Sequence, residues 1–418
     1  MGKLAMSVTN VFEEIVSLWK RQRRNWKTIV IWNIFNRIFQ RLTMDYSGIY
    51  VLKLGASPFQ LGLLNGAAGL TNSIASAPMG WLQDKHSLRK IFLIGVGIMV
   101  IAPFIYALAT DWIMIIPAVI ILAIGQVVGR CMIICDISLK TEDRSTGKSI
   151  CESAGMVPSL FSPFIAASLI TVFGGISVDG IRPLYWIQFA GSFVLFFFLA
   201  LHLTEIKRIK ASDKKSSFLR DFHEVFKRGT ALKRYLLLYV LSRFALMMTT
   251  PFRMAFAYEI KNANQFLIGW MTTSTILVYV LFAIPLGRLA DRIGRKKVFY
   301  AVTPLVAASN LLLVSAPTPE ILILSGIFLG FQDIANFTLI SAMRADLVPQ
   351  DCIGRWDGIV GMFAGLVSIP APIIGGILWN TFSPDYIFLI PTLILVILIP
   401  IMFSMPNRSM LIKNRKAV

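Results

Sequence analysis

Asn33, Arg37, Arg41 and Asp45 follow one another at intervals of four, each set in a run of otherwise apolar residues. Four residues of α-helix advance the azimuth by ~40°, so these side chains form one slowly turning stripe. Asn36 and Gln40 widen it. A guanidinium presents a planar fork of donors that suits a carboxylate or a phosphate. The theme returns later in the chain, where Arg243 stands 206 residues after Arg37 and Arg253 follows it. Asp333, with Gln332 and Asn336 beside it, is the one acid near the middle of an apolar run. Such a carboxyl is either a protonation site that couples a gradient to movement or a fixed counter-ion for Arg41 or Arg243, and its type leaves both open. Asp45 and Arg253 lie at matching levels, which predicts a gate pair. Arg130 and Asp136 sit toward one end of a further run, where an arginine is expected to snorkel toward water.

This set of residues points to anion binding, with Arg37, Arg41, Arg243, Asn33, Gln40 and Asn336 as ligands, Asp333 and Asp45 as coupling groups, and Asp45 with Arg253 as the gate. Covalent chemistry has no comparable support. There is no phosphate-cradling loop, no Gly-x-Ser-x-Gly elbow, and His86, His202 and His223 are the only histidines. Cys131 and Cys135 are four apart, but no further metal ligand accompanies them, and neither they nor Cys151 and Cys352 fall where a disulfide is expected. The expectation is no enzyme, no cofactor and no metal.

The elements that must position these groups are membrane-spanning helices. Of 418 residues 56% are hydrophobic and only 15% charged, and the mean hydropathy is +0.69. Runs such as Ile113–Ile124, Phe189–Leu201 and Ile387–Phe403 are almost wholly apolar. A bilayer crossing needs ~20 such residues. Spans are expected at 27–53, 58–82, 90–109, 112–137, 150–173, 183–204, 234–259, 265–288, 297–316, 320–344, 357–380 and 385–404. The net charge of +19 would suit nucleic acid, but its distribution argues otherwise. With the N-terminus inside, inner tails and loops hold 33 of the 41 Lys and Arg, and outer loops hold only Lys53, Arg182 and Lys261. That bias places both termini in the cytoplasm and sets the basic face against anionic head groups. Every ionisable residue at depth falls on span 1, 4, 7 or 10.

A repeat organises the chain. At a shift of 207, Gly62 meets Gly269, Pro78 meets Pro285, Gly80 meets Gly287, Leu82 meets Leu289, Asp84 meets Asp291, Lys90 meets Lys297, Gly147 meets Gly354 and Pro163 meets Pro370. The reading is a cytoplasmic amphipathic segment 1–26, a six-helix bundle 27–204, a basic linker 205–233, a second bundle 234–404 and a tail 405–418. Phe218, Leu219, Phe222, Val225 and Phe226 give the linker an amphipathic helix, as Val8, Val11, Phe12, Ile15 and Trp19 do for the first segment.

The segment Gly287-Arg-Leu-Ala-Asp291-Arg292-Ile-Gly294-Arg295-Lys296-Lys297 resembles the loop motif of the major facilitator superfamily, and Gly80-Trp-Leu-Gln-Asp84-Lys-His-Ser-Leu-Arg89-Lys90 is a degenerate first copy. The resemblance implies an all-α fold of twelve transmembrane helices in two pseudo-symmetric bundles. It implies that helices 1, 4, 7 and 10 line a central cavity. It also gives Gly80, Asp84, Arg89, Gly287, Asp291, Arg292 and Arg295 a conformational role, with Asp84 facing helix 11 and Asp291 facing helix 5 when the inner side is closed. Arg37 and Arg243 look like the paired arginines of its organophosphate:phosphate antiporters. The expected function is a secondary transporter of a small anionic solute in the plasma membrane, acting as a monomer with a coupling proton or counter-solute and no nucleic acid. The alternative is a proton-coupled exporter of amphipathic or cationic compounds that uses Asp45 and Asp333.

Overall fold

The computed structural model describes residues 17, 19–85, 87–129, 135, 150–151, 154–205, 230–340 and 353–403, with the backbone alone at 77–85, 230–231, 291, 337–339, 353–359 and 401–403. Most of the segment 1–26, most of the linker 205–233, the tail 405–418, Arg130, Cys131, Asp136 and Cys352 lie outside the described residues. So do the side chains of Asp84 and Asp291.

The described residues form helices without a strand. The first half contains α1 (Arg24–Met44), α2 (Ser47–Lys53), α3 (Pro58–Lys85), α4 (Leu88–Leu108), α5 (Ile115–Val128), α6 (Met156–Ser159), α7 (Ser162–Val172) and α8 (Val178–His202). The second contains α9 (Thr230–Thr249), α10 (Arg253–Glu259), α11 (Gln265–Ile293), α12 (Arg295–Ser315), α13 (Leu322–Asp333), α14 (Ile353–Ser368), α15 (Pro370–Thr381) and α16 (Tyr386–Phe403). Among the described residues six stretches are long and apolar enough to cross a membrane: Leu88–Leu108, Val178–His202, Leu232–Glu259, Gln265–Ala290, Arg295–Ser315 and Val360–Thr381. The α1 helix matches α4 in length at 21 residues, but its polar stripe keeps it out of that set.

The helix breaks follow the repeat. A turn at Asp45 and Tyr46 separates α1 from α2, and Thr250–Phe252 separates α9 from α10. The second break has a proline, Pro251, which removes a backbone donor and ends the helix. The two caps are seven residues each, and the shift of 206 lays Ser47–Lys53 on Arg253–Glu259. Between α11 and α12 stands Gly294 at φ 103°, a backbone conformation that disfavours any side chain.

Two seams join the halves. Along one, α3 runs beside α14 and α15, with Gly376 against Pro58 at one extreme and Gly365 against Ser73 at the other. A Cβ on Gly66 would stand 2.9 Å from the carbonyl oxygen of Ile369. Gly66→Leu is therefore expected to part these helices and cost about 1–3 kcal/mol, read as a lowered Tm of the purified protein in detergent. Along the other seam α7 meets α11, where the Thr273 hydroxyl donates to the Leu160 carbonyl at 3.2 Å.

Buried apolar side chains show how the seams end. Toward Lys53, one cluster draws on both halves and includes Tyr46, Tyr50, Tyr106, Tyr185, Phe252, Phe256 and Phe388. Toward the other end there are two separate clusters. Trp26, Phe92, Leu195 and Leu199 belong to the first half, and Tyr235, Phe299, Val360 and Leu398 to the second. Gly361, further along α14 than Gly365, has no described atom within 4 Å of a Cβ. Among the described residues, the halves are fused at the Lys53 end and part toward the other.

Candidate functional site

The stripe on α1 divides between two environments. Asn33 donates to the Cys151 carbonyl, and Arg37 Nε donates to Asn33 Oδ1 at 3.4 Å. The Arg37 stem lies over Gly155, the residue before α6, where a Cβ would collide with it. These two residues therefore face the neighbouring α6 edge of the same half. Asn36 and Gln40 turn elsewhere: with Trp32, Gln188 and Ser192 they line a cavity inside the first half, with room for about one water molecule. Gln40, expected in the central pathway, borders this pocket between helices of the first half because it lies ~60° round the helix from Arg37.

Arg41 and Asp45 form an ion pair within one helical turn, Nε to Oδ2 at 3.8 Å. It is a loose one, since neither of those buried atoms has a hydrogen-bond partner. Arg41 and Arg253 are the two cations acting on Asp333. Asp333 closes α13, and the chain continues through a π-helical segment, Ile334–Leu339, that carries Asn336. Such a wide turn interrupts the regular hydrogen-bond ladder and recurs at functional positions.

The expected contact of Asp45 with Arg253 is not formed in this state. Arg253 opens α10 after the Pro251 break and turns into its own half. Its guanidinium donates to Ser309 Oγ at 3.3 Å and Asn310 Oδ1 at 2.6 Å and lies 5.5 Å from the centre of the Phe388 ring. Asn310 in turn donates to Thr392. Arg243, on α9, is half-buried, and no hydrogen bond or ion pair engages it among the described residues.

The residues that do bridge the halves at that end were not picked out by sequence reasoning. Lys53 Nζ lies 3.2 Å from Glu259 Oε1 and 4.7 Å from the centre of the Tyr258 ring. The Tyr46 hydroxyl donates to the Gln265 carbonyl at 2.9 Å, and the Gln265 amide donates to Thr171 Oγ1 at 2.9 Å. A signal existed: Lys53 and Glu259 are 206 apart, the separation of Arg37 and Arg243, and have opposite charges.

In the repeated motif, Arg89 donates to the Ala200 carbonyl at 2.9 Å, tying α4 to the last turn of α8. That contact is internal to one half. Gly80 and Asp84 lie in the last turns of α3, Gly287, Asp291 and Arg292 in those of α11, and Arg295 starts α12.

Among the described residues, two helical halves share one buried apolar cluster at the Lys53 end and carry charged side chains between them. The chain belongs to the Major Facilitator Superfamily, whose sequence profile matches residues 31–263 and 235–416. It is a multi-pass membrane protein of a family that moves solutes across membranes. An MFS-type transporter of Methanocaldococcus jannaschii whose activity is uncharacterised is 22% identical over 404 residues, covering 87% of this chain and 90% of the relative. The fold is similar to the nucleoside transporter NupG, with a TM-score of 0.71 at 17% identity over 92% of this chain and 100% of that one. It is also similar to a bacterial homologue of the human lysosomal transporter Spinster in an inward-facing, unoccupied conformation, with a TM-score of 0.68 at 15% identity over 90% of this chain and 95% of that one.

Proposed function

We propose that the protein carries a small organic or inorganic anion by alternating access, with Arg37 and Arg243 as its ligands. The observation that carries this reading is a charge balance. Asp45, Arg41, Asp333 and Arg253 bring two negative and two positive groups together, and each acid has an arginine acting on it. Arg37 and Arg243, one in each half at positions related by the repeat, have no carboxylate partner among the described residues. A cation exposed in a low-dielectric cleft without a counter-ion is costly, and a bound anion removes that cost. A cationic cargo, as for an exporter of amphipathic compounds, would have to compete with Arg41 at Asp45 and with the field of Arg41 and Arg253 at Asp333.

In this reading twelve spans cross the plasma membrane of a monomer, both termini are cytoplasmic, and the Lys53 end is outside, as the basic inner loops require. On this reading the cleft opens to the cytoplasm when the Lys53 end is shut. Asp333 couples transport to a proton or a counter-solute. Asp84 and Asp291 close the inner side in the opposite state.

The test is binding and counterflow in proteoliposomes with panels of mono- and dianions, and of cations, using the unmodified chain. Saturable exchange of an anion supports the proposal; exchange of cations alone rejects it. Gly155→Val adds bulk beneath the Arg37 stem and sets a Cβ 3.0 Å from the Asn33 carbonyl oxygen, so it is expected to raise the KM for the anion about tenfold and to lower Tm. An unchanged KM would show that Arg37 does not need its seat on Gly155.

A further inference from the structure

Three basic residues stand at the Lys53 end of the bundle: Lys53, Arg182 and Lys261. Two of them are held inside their own half. Arg182 pairs with Asp179 at 3.0 Å and donates to the Ala109 carbonyl at 3.0 Å. Lys261 donates to the carbonyls of Val314 and Ala316, which pins the loop before α11 to the end of α12. Lys53 alone among the three crosses the seam, from the tip of α2 to Glu259 at the tip of α10. Its ammonium also sits over the ring of Tyr258, whose hydroxyl reaches the Ile176 carbonyl of the first half at 3.5 Å.

We propose that Lys53 and Glu259 are a latch that holds this end of the carrier shut, and that its separation is a required step in opening the cleft toward that side. The proposal rests on the alternating-access reading above but not on the charge of the cargo.

Four observations support it. First, the two residues occupy equivalent positions in the repeat, so they meet near the pseudo-two-fold axis, where the two caps converge. Second, the caps are broken from their shafts at Asp45–Tyr46 and Thr250–Phe252, which allows the tips to swing without bending α1 or α9. Third, the roof below the latch is tight: a Cβ on Gly48 of α2 would stand 2.8 Å from the Pro251 carbonyl oxygen. Fourth, the side chains of Lys53 and Glu259 remain 32% and 37% exposed, so the pair is open to water and ions. An ion pair of that exposure is weak enough to break during each cycle. A buried one would hold the state permanently. Around the latch the seal is made of Tyr46 on Gln265, Gln265 on Thr171 and the shared aromatic cluster, with the buried Asp45 against Thr272 beneath. Among the described residues, the latch is the one ion pair within 4 Å that joins the two halves, and it is water-exposed.

The test reads the seal directly rather than through transport. Thr250 is exposed and lies at the break below α10. A Thr250→Cys chain in vesicles of defined orientation is labelled with a membrane-impermeant thiol reagent added on the Lys53 side, with the chain lacking that substitution as background. Lys53→Glu and Glu259→Lys each set like charges opposite one another, and each is expected to raise the labelling rate about tenfold. Lys53→Gln and Glu259→Gln are expected to raise it about threefold, in keeping with a half-exposed pair, and about 0.5 M salt to do the same in the parent. The double exchange Lys53→Glu with Glu259→Lys restores the slow rate. Labelling that stays at the parent rate in all four single variants overturns the latch. So does a fast rate that the double exchange does not reverse, since the effect would then come from disturbed packing. Failure of the anion assay with a latch that behaves as described would reject only the cargo assignment.

Discussion

Replacing Arg37 and Arg243 together by glutamine is expected to reduce kcat/KM for anion exchange by at least ~100-fold, with each single change costing ~10- to 100-fold. The size follows from the environment. Removing a charged partner from a desolvated ionic contact costs about 2–5 kcal/mol, and 1.4 kcal/mol is a factor of ten. The two guanidiniums belong to different halves, so each half should lose affinity when its own arginine is gone. Because the ligands would act on one molecule, the two changes should not add fully. Binding measured by ligand-dependent thermal shift separates the explanations. If the double variant keeps its anion-induced rise in Tm while exchange is lost, the arginines serve the conformational cycle rather than the cargo. If neither binding nor exchange changes, the anion site lies elsewhere.

Asp333→Asn is expected to abolish accumulation of cargo against a gradient while exchange between equal pools stays within about threefold. Asp333 is acted on by Arg41 from the first half and Arg253 from the second. Arg253 is held by Ser309, Asn310 and the Phe388 ring, so its position relative to Asp333 is constant within one half. Arg41 belongs to the other half and shares itself with Asp45 through a loose contact. When the halves rock, Asp333 gains or loses that one cation. Such a carboxyl can exchange a proton once per cycle, and an amide cannot. Exchange needs no net movement of protons and should continue. Parallel loss of both activities would assign Asp333 to structure, as a counter-ion whose removal leaves two arginines in a dry site.

Much of the architecture was legible in the chain itself, because bilayer physics constrains it so tightly. Long apolar runs and a repeat with one constant shift are enough to specify two equivalent helical halves. The breaks at Pro251 and before Pro370 were not read, since spans were expected unbroken at 234–259 and 357–380, although proline's missing donor accounts for both. The charge census set Asp333 against Arg41 or Arg243, and the second arginine acting on it is Arg253 instead. Partners were less readable. Matching depth suggested Asp45 opposite Arg253, but depth says nothing of azimuth, and the Pro251 break rotates Arg253 toward α12 and α16. Gln40 was assigned to the pathway because it adjoined the stripe, yet ~60° of rotation puts it in a pocket inside one half. Lys53 and Glu259 were passed over because charges at helix ends are common and read as topology signals. Only their equivalence under the repeat, seen with opposite sign, marks them out.

The distribution of buried apolar clusters has a consequence for how the carrier meets its cargo. One mass of aromatic and aliphatic side chains joins the halves near Lys53, and no equivalent mass joins them at the opposite end among the described residues. Turning the molecule over means taking that mass apart, so the unloaded protein should spend most of its time with the same mouth open. A solute arriving on the open side finds a vacant seat at once. One arriving on the sealed side must wait for a rare excursion, and its apparent affinity falls by the fraction of molecules then available. The two faces of one membrane should therefore report different half-saturation concentrations for the same substance, with the sealed face the less sensitive.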